Sequence, residues 1–207
     1  MTPTPLERYF DRRGVTMIEP LPGQRVPLCF SDPQAEHLAT RRAAGLFDFS
    51  FMACIAIKGA DSIALLDCIQ TRAIRQLPIG RIRYTLLLRT DGTVLNDATV
   101  WRIADDEFLL FIGRRDDVSI VLEQASGLDV RLDDRSTRTA VIALQGPRAG
   151  EILRACMPLP SDLAYYAIAH ARCGGCRLLV ARLGYSGELG YELVLDIDHA
   201  PDVWKTL

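Results

Sequence analysis

Near the end of the chain, Gly184-Tyr-Ser-Gly-Glu-Leu-Gly-Tyr-Glu192 sets three glycines at spacing three among two tyrosines and two glutamates. A phosphate-cradling loop needs a lysine and a following helix, but the residues after this stretch read as a strand. Glycines so placed let backbone turn closely around a flat ligand, with Tyr185 available to stack and Glu192 to accept hydrogen bonds. A carboxylate that accepts two parallel bonds suits an aminopyrimidine edge. An ordinary glycine-rich loop fits the local pattern equally well.

A second polar feature lies in Val94-Leu-Asn-Asp-Ala-Thr-Val100, where Asn96 and Asp97 interrupt an apolar run. Neighbours on a strand point to opposite faces, so one of the two faces inward. An inward carboxylate is costly unless it is paired or used. Asp97 is therefore either a reactive carboxylate or a turn-proximal aspartate bonded to backbone amides.

Other chemistry is weaker. Cys173-Gly-Gly-Cys176 has CxxC spacing, but zinc needs four ligands and no second CxxC or histidine pair is within sequence reach. A redox pair belongs at a helix start, whereas this one flanks a glycine turn. His37, His170 and His199 are isolated, and no metal site is expected.

The elements that must position these residues follow from periodicity and punctuation. Leu6 to Arg13 reads as a short helix stopped by Gly14, and Val15 to Glu19 as a strand before the loop Pro20-Leu-Pro-Gly23. Ser31 or Asp32 caps a helix with Pro33 in its first turn, running to about Ala44 and stopped by Gly45. Cys54 to Lys58 alternates as a strand, and Asp61 can cap a helix bearing Ile63, Leu65, Leu66 and Ile69. Strands Arg83–Leu88 and Val94–Arg102 flank Asp91-Gly92, a hairpin signal, and Phe108–Ile112 completes an antiparallel meander. Asp116 to Ser126 reads as helix, Asp129–Leu132 and Thr139–Gln145 as strands, and Gly146-Pro147 as the opening of a further helix. Ala167–Arg172 and Arg177–Arg182 flank Gly174-Gly175 as a second hairpin. Gly190–Asp196 is a last strand and His199–Leu207 a last helix. Meanders interleaved with single helices give an α+β protein, antiparallel sheets with interleaved helices, rather than a doubly wound parallel sheet.

The 207 residues are 49% hydrophobic and 24% charged, with a formal net charge of −2. That is ordinary soluble composition. Its scattered basic doublets, Arg41-Arg42 and Arg114-Arg115, argue against nucleic acid as a partner. No apolar run spans a bilayer and the first residues carry no apolar signal core, so a cytoplasmic protein with mostly reduced cysteines is expected.

Taken in order, Thr4-Pro-Leu, Gly14-Val-Thr-Met17, Glu36-His37-Leu-Ala, Arg42-Ala-Ala-Gly-Leu-Phe-Asp48, Asp91-Gly-Thr-Val-Leu-Asn-Asp97, Leu144-Gln-Gly-Pro-Arg-Ala149, Arg182 to Glu192 and Ala200-Pro-Asp-Val-Trp204 resemble the glycine cleavage system T-protein, or aminomethyltransferase, family. The resemblance implies that residues 1–207 form that family's folate-binding region, with a meander lobe over about 54–130, the rest making another lobe, and the family's C-terminal lobe lacking. It implies tetrahydrofolate as cofactor and a one-carbon transfer of an aminomethyl or methyl group. A lipoyl carrier protein or a partner subunit is the implied macromolecular partner. By the same resemblance Asp97 is the catalytic carboxylate, positioned to orient the reacting folate nitrogens and stabilise positive charge developing there. Met52, Tyr84, Tyr165 and Tyr185 line the folate channel, Glu192 holds the pterin ring, and Arg182 heads the same loop. The chain departs from the family pattern at Asn96, where an aspartate is usual, at Phe51, at Gly113-Arg-Arg-Asp116 and at Gly23-Gln24. The implied alternatives are a non-catalytic folate-binding protein, or a subunit of a larger complex such as sarcosine oxidase. The one-carbon donor is left open.

Overall fold

The computed structural model describes residues 4–21 and 24–207, and the chain divides into two units, Met1–Phe51 with Thr137–Leu207 and Met52–Ser136. In chain order the first unit begins with α1 (Pro5–Asp11), β1 (Thr16–Leu21), β2 (Gln24–Cys29), α2 (Pro33–Arg42) and β3 (Gly45–Asp48). The second holds β4 (Ala53–Lys58), α3 (Ser62–Ile69), β5 (Ile82–Leu88), β6 (Val94–Arg102), β7 (Glu107–Ile112), α4 (Val118–Gln124) and β8 (Arg131–Asp134). The first unit resumes with β9 (Thr139–Gln145), α5 (Ala149–Cys156), β10 (Ile168–Cys173), β11 (Cys176–Ala181), β12 (Gly190–Asp196) and α6 (Ala200–Thr206).

Each unit is built on one five-stranded sheet whose neighbours are all antiparallel. The orders are β10-β11-β12-β9-β3 and β5-β6-β7-β4-β8. The expected α+β class and the β5-β6-β7 meander are both present. In the first unit Ile142, Leu144, Val180, Leu193 and Leu195 pack beneath Leu6 and Phe10 of α1, Leu153 of α5 and Val203 of α6. In the second, Ile55, Val100, Leu110 and Ile112 pack against Leu65 and Leu66 of α3 and Val118 and Val121 of α4.

Local signals account for the starts of α1 and α2 but not for those of α3 and α5. Thr4 and Glu7 form a reciprocal capping box, Thr4 N–H to Glu7 Oε2 at 2.6 Å and Glu7 N–H to Thr4 Oγ1 at 3.1 Å, with Pro5 next. Asp32 rather than Ser31 caps α2, accepting Ala35 N–H at 2.8 Å. Asp61 stands before α3, but its carboxylate leaves the helix uncapped and accepts Asp129 N–H at 2.8 Å. Pro147 precedes α5 and lies outside its first turn.

Two strands escape the periodicity reading. Gly45, expected to stop α2, opens β3, which pairs Gly45 with Gln145 and Phe47 with Ala143. Four residues are too few to establish alternation. Strand β2 pairs with β1 in a two-stranded sheet, so Pro20 and Leu21 are strand rather than loop, while Pro22 and Gly23 of the expected loop lie outside the described residues. Proline is tolerated there because it leaves no central ladder short of a donor.

Replacing Ile142, wholly buried in the first unit's core, with alanine is expected to cost about 2–5 kcal/mol of unfolding free energy, read by denaturant titration. A loss below about 1 kcal/mol would contradict this packing.

Candidate functional site

Strand β12 alternates its side chains across the first unit's sheet. Tyr191, Leu193 and Leu195 enter the core, which turns Glu192 and Val194 to the opposite face. Glu192 pairs in register with Ala143 on β9 and Ala181 on β11. Two alanine neighbours leave space beside the carboxylate that larger side chains would fill. Glu192 is nevertheless only 2% exposed, and its Oε1 has no hydrogen-bond partner among the described residues. Burial pushes its pKa up from 4.5 to about 7. A carboxyl so raised costs no stability below pH 4.5. It loses on the order of 3 kcal/mol as pH rises toward 7, where the unfolded chain ionises and the folded one does not.

Arg182 follows Ala181, and its buried Nε likewise has no hydrogen-bond partner among the described residues. Its Nη1 donates to Leu163 O at 2.9 Å, and its own backbone bonds Tyr166 N–H and Ala167 O. These bonds draw Tyr165 and Tyr166 to the head of the glycine-rich loop. The two rings lie 4.3 Å apart, and Tyr166 is held at φ 59°, a left-handed conformation that non-glycine residues adopt at some cost. Tyr185, 60% exposed, stands edge-on to Phe49 at 5.9 Å. Glu192, Arg182, Tyr165 and Tyr185 thus all belong to the first unit's β11–β12 region.

In the second unit, Asn96 and Asp97 separate as strand geometry requires, but the inward residue is the amide. Asn96 shares the parity of Ala98 and Val100, which face the core. Asp97 points to the other face, opposite Leu86 in register, where Tyr84 Oη donates to its Oδ2 at 3.3 Å. Burial first, then the Asp97 charge, raises the Tyr84 pKa and keeps the phenol protonated as that donor. Met52 is half-buried in the turn before β4.

Sequence reasoning missed the support behind Asp97. The β6–β7 ladder begins at Ala98 and Ile112, so the Asp97 N–H lies past its end. Asn96 Oδ1 accepts that N–H at 2.9 Å, and Asn96 Nδ2 donates to the buried Asp117 Oδ2 at 2.7 Å. The signal was present as an unexplained Asn beside Asp97, but its partner lies 21 residues on, beyond any local pattern.

Cys173 and Cys176 are register partners across the Gly174-Gly175 turn, whose glycines take φ 53° and 87°. Both thiols are free and buried in the core, and burial raises both pKa values, which suppresses the reactive thiolate. Among the described residues no group of three or more His, Cys, Asp or Glu could hold a metal ion. No helix there is long and apolar enough to cross a membrane.

Two five-stranded antiparallel sheets flanked by short helices, each with an acidic side chain on the face away from its own core, define a mixed α/β fold. The family described as the GCVT N-terminal domain matches residues 8–207, and the chain belongs to that family. It is similar to the aminomethyltransferase of Chloroherpeton thalassium, 33% identical over 208 residues that take in 99% of this chain and 57% of the relative. The aminomethyltransferase of Saccharopolyspora erythraea is 36% identical over 211 residues, 99% of this chain and 56% of that protein. The chain therefore spans little more than half the length of these relatives. The crystal structure of glycine cleavage system aminomethyltransferase T from Bartonella henselae superposes with a TM-score of 0.86 at 28% identity, over 98% of this chain and 55% of that one. A chain of the heterotetrameric sarcosine oxidase from Corynebacterium, TM-score 0.62 at 17% identity over 84% of this chain and 87% of that one, shares the fold.

Asn96→Asp would set a carboxylate against the buried Asp117. The like charges would raise the pKa of one of them, so the loss of stability should grow with pH. We expect about 1–3 kcal/mol lost at pH 8 and clearly less at pH 5, measured by denaturant unfolding. Equal stability of the variant and parent at pH 8 would contradict the Asn96–Asp117 tie.

Proposed function

We propose that the chain binds tetrahydrofolate and serves one-carbon transfer of the aminomethyl kind, with Asp97 as the catalytic carboxylate. Glu192 carries the proposal. A buried carboxyl with an unpaired oxygen is expensive, and the expense is met if a ligand's paired N–H donors complete it. The aminopyrimidine edge of a pterin offers such donors in the spacing a carboxylate accepts. The unpaired Nε of Arg182 supplies a donor at the head of the same loop, suited to an oxygen or ring nitrogen of the ligand. Tyr185 and Tyr165 offer exposed aromatic faces for stacking against a flat ring.

Folate, when bound, supplies the nitrogens that receive the carbon. The chain's part is to fix and stabilise. Asp97, its backbone tied through Asn96 to Asp117 and its Oδ2 accepting from Tyr84, is a fixed anion able to stabilise developing positive charge. Leu86 stands opposite Asp97 on β5, and Tyr84 on the same strand supplies the hydroxyl. The family places the donor on a lipoyl carrier protein, which we propose as the partner.

Calorimetric titration with tetrahydrofolate tests the reading. The parent should bind, Glu192→Ala should weaken binding at least tenfold, and Asp97→Ala should stay within a few-fold in affinity while methylene transfer from an aminomethyl-lipoyl carrier falls at least 100-fold. Unchanged binding by Glu192→Ala would sink the pterin assignment.

A further inference from the structure

The loop that carries Tyr185 is wound around one side chain. Gln145 is the last residue of β9, 1% exposed, and pairs in register with Gly190 on one side and Gly45 on the other. By alternation it faces the same side of the sheet as Ala143 and hence Glu192. Its carboxamide projects into the bend of residues 184–190. Nε2 donates to Leu183 O at 3.3 Å, and Oε1 accepts the Ser186 hydroxyl at 2.9 Å. Ser186 Oγ in turn accepts Glu188 N–H at 3.2 Å, and Gly146 N–H donates to Leu189 O at 2.8 Å. From outside, Arg41 Nη1 donates to Ser186 O at 2.6 Å and to Glu188 Oε1 at 3.0 Å.

The loop's two end glycines follow from the same side chain. A Cβ on Gly184 or on Gly190 would collide with the Gln145 carboxamide. Gly184 and Gly190 are therefore explained by close approach to an amide, not by an unusual backbone angle. Both ends and the middle of the loop converge on one group with a donor and an acceptor, and both are used.

We propose that Gln145 is a positioning residue. It holds the Gly184–Gly190 loop in the conformation that presents Tyr185 to the ligand and delivers the chain into β12 in the register that places Glu192. The inference rests on the reading of Tyr185 and Glu192 as folate contacts. Both hydrogen bonds of the Gln145 carboxamide run to the loop. An amide is required because a carboxylate there would repel Leu183 O, and an apolar side chain of equal length would leave Ser186 Oγ and Leu183 O without their partner.

The test uses Gln145→Met and Gln145→Glu in the full chain. Hydrogen exchange reads the amides of residues 185–189, and titration with tetrahydrofolate reads affinity. Gln145→Met should lower protection of those amides at least tenfold while β11 and the centre of β12 keep theirs, and should weaken tetrahydrofolate binding at least tenfold. Gln145→Glu should recover the parent's loop protection at low pH, where burial at this position favours a protonated carboxyl that again donates to Leu183 O, and lose it at pH 8. Should Gln145→Met fail to fold, Ser186→Ala removes the same bond from the loop side and should lower the same protection. Unchanged loop protection would overturn the proposal, as would lost protection with unchanged affinity. If protection falls but the parent itself binds no tetrahydrofolate, Gln145 stands as the loop's positioning residue and the folate reading falls.

Discussion

A buried carboxyl whose Oε1 finds no partner among the described residues is the constraint around which the first unit is arranged. Glu192 sits between two alanines in the middle of an antiparallel sheet, on the face turned from the core. Hydrophobic burial on the other face fixes that orientation. Tyr191, Leu193 and Leu195 cannot leave the core without exposing their side chains, and a strand of period two then leaves Glu192 no alternative. The energy that keeps a costly group in place is thus the ordinary energy of the core. The same group, short of a partner, is what a ligand with paired donors can complete.

The second unit solves a related problem by different means. Asp97 stands on a partly exposed face beside Tyr84 and Leu86, so its burial is less costly. What it needs is a fixed backbone at the point where the ladder with β7 runs out. Asn96 provides this by turning inward to Asp117, which ties the strand to the start of α4. An aspartate at 96 could accept the Asp97 N–H but would face Asp117 with like charge. The amide satisfies both neighbours at once, which gives a physical reason for Asn-Asp in this chain.

Much of this was legible in the residues. Glycine pairs at 174–175 and Asp91-Gly92 marked hairpins, capping residues marked α1 and α2, and the meander followed from strands separated by short turns. Strands β2 and β3 were not legible, since one holds a proline and the other has four residues, and both owe their existence to pairing with distant partners. Glu192 and Asp97 were visible as polar residues in apolar surroundings. Local pattern alone divided Asp97 between structure and chemistry, and only the ordered resemblance tipped the balance. The supports were hidden for one common reason. Gln145 to Ser186, and Asn96 to Asp117, are contacts across 41 and 21 residues, and sequence spacing carries no record of them. Gly184 and Gly190 looked like turn glycines, whereas their small size answers to a glutamine on a neighbouring strand.

The most direct measurement is the titration of Glu192 by carbon-detected NMR of its labelled carboxyl, with and without tetrahydrofolate. The free chain should show this carboxyl titrating near 7. On binding, a ligand that donates hydrogen bonds to the ionised form should pull it at least one unit lower, with affinity rising with pH below 7 as the linkage requires. A carboxyl that titrates in the ordinary glutamate range, or one whose titration is unmoved when tetrahydrofolate binds, would contradict the account.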